Sequence, residues 1–150
     1  KLKSISFIKK PALAGFFFAR IYLMSKESFF LLFIAAGVFP VSLIYGGNPV
    51  VSMPNFYGIE VDTINLSNIL RAVMGLYIAL CVFWVIGARY EKLRLPALWS
   101  LAIFMTGIAS GRFLSLILDG MPSPLFIFYL AVEIIAAVIG FKLISNLQKN

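Results

Sequence analysis

Apolar positions in this chain gather into four runs, at about residues 28–45, 69–88, 97–118 and 124–144. Each is long enough to cross a hydrocarbon layer of roughly 30 Å as a helix of about 20 residues. The short alternating segments of a β-barrel are absent, and helices satisfy their own backbone hydrogen bonds in lipid. The pattern predicts an all-α integral membrane protein, with residues 25–150 forming a four-transmembrane-helix bundle.

Ahead of the first run, residues 1–24 are apolar but broken by Lys9, Lys10, Pro11 and Arg20. This segment reads as an N-terminal interfacial helix. Phe16, Phe17, Phe18 and Tyr22 would lie at the headgroup level, with the basic residues toward anionic lipid. Docking on a partner subunit is the alternative. Ser25 is the expected cap of the first spanning helix, with Glu27 in its first turn. Pro40 marks a candidate kink. The stretch 46–68 is the only long connection. Asn48-Pro49, Pro54-Asn55 and Tyr57-Gly58 mark it as a loop without a helix of its own, folded over the outer end of the bundle. Asn65, Ser67 or Asn68 is expected to cap the second helix, Pro96 to open the third and Pro124 to open the fourth behind Ser123.

Composition agrees with this reading: 61% of the 150 residues are hydrophobic and 13% charged, too apolar a mixture for a soluble domain of this size to hide. The net charge of +7 is unevenly placed. Before the first span lie Lys1, Lys3, Lys9, Lys10, Arg20 and Lys26; Arg89, Lys92 and Arg94 separate spans two and three; Lys142 and Lys149 lie near the C-terminal end. The stretch 46–68 carries only Glu60 and Asp62, and the turn 119–123 has no Lys or Arg. The positive-inside rule then places both termini in the cytoplasm. The basic residues flank helices and form no separate module, which argues against a nucleic-acid partner. No histidine is present, and the single cysteine, Cys81, falls inside a span. No metal, haem or other cofactor is expected.

Apart from Lys142 near the C-terminal end of the fourth run, three charged residues lie within the spans: Arg71, Arg112 and Glu133. A charge near the centre of a span costs roughly 2.5–3.5 kcal/mol, so such groups should turn inward and pair. Glu133 lies roughly 13 Å along the fourth helix at about 1.5 Å per residue. With Asn68, Ser115 and Asp119, the three form a candidate polar cluster in the outer half of the membrane. Arg112, Ser115 and Asp119 share one helix face. Either Arg71 or Arg112 could be the partner of Glu133. An ion-pair network that fixes helix register, a pocket for a polar headgroup and a proton relay are the three readings. Gly75 with Ala79, Gly107 with Gly111, and Ala136 with Gly140 have the spacing that lets helices approach closely, and are expected to pack the bundle internally.

The residues Asn68–Ile69–Leu70–Arg71–Ala72–Val73–Met74–Gly75–Leu76–Tyr77, Gly111–Arg112–Phe113–Leu114–Ser115 and Leu118–Asp119–Gly120–Met121–Pro122–Ser123, followed by Glu133, are suggestive together. In them the chain resembles a bacterial four-span membrane family catalogued as domain of unknown function 4345. The resemblance implies a four-helix fold in a bacterial inner (plasma) membrane and brings no activity. The functional reading favoured by sequence is a structural or accessory subunit of a larger membrane complex. The alternative is a binder or carrier of a small amphipathic molecule, lipid or quinone-like, at the outer-leaflet cluster. An enzyme ranks last: Tyr77, Ser115, Asp119 and Glu133 could supply acid–base groups, but no nucleophile–base pair, metal set or nucleotide motif accompanies them. No catalytic residue is named.

Overall fold

A computed structural model describes residues 24–149, so the segment read as an interfacial helix lies almost wholly outside the described residues. Five helices follow in order: α1 (Lys26–Gly46), α2 (Pro49–Tyr57), α3 (Ile64–Arg89), α4 (Glu91–Leu118) and α5 (Pro124–Lys149). All but α2 are long and apolar enough to cross a membrane. No strand occurs among the described residues.

The helix ends show where local chemistry was readable and where it was not. The Ser25 hydroxyl accepts from the Ser28 N–H at 3.2 Å, and Glu27 sits in the first turn of α1. Pro124 opens α5, where the N–H that proline lacks would have had no partner. Three expectations fail. α3 begins earlier than its apolar run, at Thr63, whose hydroxyl accepts from the Leu66 N–H at 3.1 Å; Asn65, Ser67 and Asn68 lie inside the helix. α4 begins at Glu91, so Pro96 lies within it rather than opening it. The bond Pro96 cannot make is to the Lys92 carbonyl, at an exposed end of the helix, where the loss is cheap. The third failure is the connection 46–68, which contains α2. Its Asn-Pro pair is a helix start with Pro49 at the first position, and Gly58 ends the helix at φ 68°, in the left-handed region that favours glycine.

α1 packs along α3, α3 turns into α4 through Tyr90, and α4 packs along α5. α2 leans across the ends of α1 and α3. The main core gathers Leu31 from α1, Trp84 from α3, Leu98 and Leu101 from α4, and Ala136 and Ile144 from α5. Trp84 donates its indole N–H to the Ser100 hydroxyl at 3.0 Å, and the Ser28 hydroxyl donates to the Ala88 carbonyl at 2.9 Å. A smaller core of Met53, Val61 and Leu70 lies under α2. Large side chains such as Phe33, Ile103, Ile135 and Val138 point outward, 57–64% exposed. That is the surface hydrocarbon would solvate.

Small residues pack the helices, though mostly not the ones their spacing suggested. A Cβ on Gly46 would stand 2.5 Å from that of Met74, and one on Gly87 would collide with Ala97. Gly140 lies against Ala102, and Ala136 is buried in the core. In contrast, Gly75, Gly107 and Gly111 have no neighbour within 4 Å of where a Cβ would stand, and Ala79 is exposed. These residues do not pack the described helices against one another. Gly87→Ala should therefore lower stability by about 1–3 kcal/mol through overpacking. Gly107→Ala should be neutral or stabilising by up to about 1 kcal/mol, from helix propensity. Reversible unfolding of the two variants in bicelles would check this; equal stability would contradict the packing.

Candidate functional site

Arg112 lies about two turns inside the end of α4, and Glu133 faces it from α5. The Arg112 Nε–H is shared between both oxygens of the Glu133 carboxylate, each at 2.9 Å. Glu133 is buried, and its side chain is 12% exposed against 20% for that of Arg112. The rings of Phe126 and Tyr129, two turns and one turn back along α5, stand over the guanidinium at 5.4 and 5.5 Å. They cover its face and leave its edge. Only Nε is engaged: among the described residues, no acceptor meets the terminal nitrogens in hydrogen-bond geometry. The Tyr45 hydroxyl lies beside them without that geometry.

Around the pair stands a layer of tyrosines from different helices. Tyr57, at the end of α2, packs its ring against Tyr45 at 5.6 Å, Phe126 at 5.3 Å and Tyr129 at 6.5 Å. Tyr45 meets Tyr77 of α3 at 5.9 Å, and Tyr77 meets Phe104. The Tyr57 hydroxyl is buried with no hydrogen bond of good geometry, although Tyr129 lies next to it. Burial, and then the Tyr129 hydroxyl, push the Tyr57 phenol well above the usual phenol range.

The other candidate residues lie apart from this pair. Arg71 does not reach Glu133; it donates to the carbonyls of Gly46 and Gly47 at 3.0 and 3.4 Å, capping the C-terminal end of α1. A cation there meets the negative end of a helix dipole, which satisfies it as a carboxylate would. Asp119 accepts from the Ser115 hydroxyl at 2.7 Å on the exposed end of α4. Asn68 is exposed. The single network of charges resolves into an ion pair, a helix cap and a local hydroxyl–carboxylate contact.

A family profile described as a domain of unknown function (DUF4345) matches residues 27–143. The chain belongs to this family. The match runs from the start of α1 into the last third of α5, so the ion pair, the tyrosine layer and α2 all lie within it. No curated protein and no solved structure matches the chain.

Sequence reasoning missed Phe126, Tyr129, Tyr45 and Tyr57. The first two were within reach, since Phe126, Tyr129 and Glu133 fall at i, i+3, i+7 on one helix face. Tyr45 and Tyr57 meet the site only because α2 folds back, which no periodicity announces. A groove of about 650 Å³ also runs between α4 and α5, lined by residues including Ala109, Phe113, Ile134 and Phe141; Arg112 and Glu133 are not among its walls.

Two predictions follow from this geometry. Glu133→Gln should cost on the order of 3 kcal/mol, because an uncompensated guanidinium stays buried; replacing both members together, by Arg112→Met with Glu133→Leu, should recover much of it. Unfolding in nanodiscs would measure both, and a Glu133→Gln variant that melts with the parent would exclude the pairing. Tyr57 binds its proton more tightly folded than unfolded. Stability is therefore independent of this phenol's titration below its ordinary pKa of about 10 and falls as pH rises above it. Tyr57→Phe should flatten that alkaline decline, read from melting temperature against pH.

Proposed function

We propose that this protein holds a small amphipathic molecule in the outer half of a bacterial inner membrane, with the polar end of that molecule on Arg112. The topology follows from charge. Lys26, Arg89, Lys92, Arg94, Lys142 and Lys149 gather toward one end of the helices, Glu60, Asp62 and Asp119 toward the other. The cytoplasm then takes the basic end and both termini. The carrying observation is the guanidinium itself. Glu133 takes one N–H, two rings take its face, and among the described residues the remaining N–H groups make no hydrogen bond of good geometry, the Tyr45 hydroxyl lying beside them. In hydrocarbon each unmet donor is costly, and an amphiphile's polar end supplies acceptors at that depth.

No chemical step is assigned. Both oxygens of Glu133 accept from Arg112. A second reading, an accessory subunit of a larger membrane complex, is favoured by a different observation. Among the described residues, nothing packs on Gly75, Gly107 or Gly111 and Ala79 is exposed, as on a surface that receives another helix.

Native mass spectrometry on protein extracted from its own membrane with lipid retained would decide between them. The first reading expects a reproducible small molecule on the parent, weakened in Arg112→Lys, which keeps the charge but loses the planar fork. A stoichiometric protein partner and no small molecule would replace it with the second.

A further inference from the structure

We infer that the head of this molecule is uncharged and rich in hydrogen-bond acceptors, carbonyl oxygens above all, and that Tyr57 is its second point of contact; the inference rests on the binding reading above. The charges that face the site from each helix cancel. α4 contributes Arg112 and α5 contributes Glu133, joined through Nε at 2.9 Å. α1, α2, α3 and α5 otherwise present Tyr45, Tyr57, Tyr77 and Tyr129. Arg71 is turned onto the α1 carbonyls, and Asp119 onto Ser115. The lysines and the other described arginines lie toward the opposite end of the spans.

An anionic head would therefore find no surplus cation. On the free edge of Arg112 it would share a single guanidinium with Glu133, leaving one buried negative charge uncompensated. A cationic head would have to approach Glu133 beside the Arg112 guanidinium that already neutralises it. What the site has in excess is donors. The terminal nitrogens of Arg112 are unmet at the edge of the guanidinium, and the Tyr57 hydroxyl is buried and unpartnered. The two donors flank the same pair of rings: Phe126 and Tyr129 lie over the guanidinium and also contact Tyr57. A neutral head with two or more carbonyl oxygens could accept from both without disturbing the ion pair.

The test compares amphiphiles of different head charge on the full protein in detergent micelles. Dioctanoylglycerol and a decyl-substituted benzoquinone are the uncharged probes; dioctanoyl phosphatidic acid, with the tails of the first, is the anionic one. At least one uncharged probe should raise the melting temperature saturably, and phosphatidic acid should not. Tyr57→Phe should melt at or above the parent without probe, since it removes an unpartnered buried hydroxyl. Its affinity for the stabilising probe should fall by about tenfold, the worth of one good hydrogen bond. Preferential stabilisation by phosphatidic acid would overturn the uncharged head while leaving amphiphile binding in place. Unchanged affinity in Tyr57→Phe would remove Tyr57 from the contact. No shift with any probe, together with no retained molecule on the native protein, would overturn this inference and the binding reading together.

Discussion

An arginine set about two turns inside the end of a helix long and apolar enough to cross a membrane has to find its counter-charge within the protein, and here it meets that need where α4 packs on α5. The Arg112–Glu133 contact fixes the rotation of both helices toward the end where the turn 119–123 joins them. Farther along the same seam, Gly140 rests on Ala102 and lets the backbones come close. A salt bridge above and small-residue packing below hold one interface by different physics. The first resists rotation of the helices, and the second sets their separation. The aromatic rings over the guanidinium add cation–π attraction without competing for its N–H groups.

The same constraint explains the helix ends. A span that ends near the membrane surface leaves carbonyls with no intrahelical partner. At the end of α1 they are met by side chains from elsewhere: Arg71 reaches over from α3, and Ser52 of α2 donates to the Ile44 carbonyl. Capping of one helix by two others ties α1, α2 and α3 together beside the small core of Met53, Val61 and Leu70. It also holds α2 in place, and α2 in turn brings Tyr57 over the ion pair. The candidate site thus depends on a helix cap that contains none of its residues.

Among the described residues, two different surfaces stand unfinished. One is polar and small, the unmet edge of Arg112 beside the Tyr57 hydroxyl. The other is apolar and extended, the glycine faces of α3 and α4. In water the second would be the more conspicuous, but in lipid apolar surface is already solvated. Unmet donors are what hydrocarbon cannot satisfy, which is why the binding reading is placed ahead of the docking reading.

Much of the fold was legible along the chain. The four apolar runs became the four long helices, Ser25 caps α1, Pro124 opens α5, and Arg112 and Glu133 were marked as residues in need of a partner. These properties belong to single segments: length, local capping chemistry and the cost of a charge in lipid depend on neighbours in sequence. What the tertiary structure decided is how segments meet. It chose Arg112 over Arg71 for Glu133, made Gly46 and Gly87 rather than Gly107 and Gly111 the close contacts, and built α2 from a stretch whose prolines imitate turns. Each of those choices depends on how far every helix is rotated and tilted against its neighbours. Periodicity along one chain defines the face of a helix but leaves open which other face it will meet.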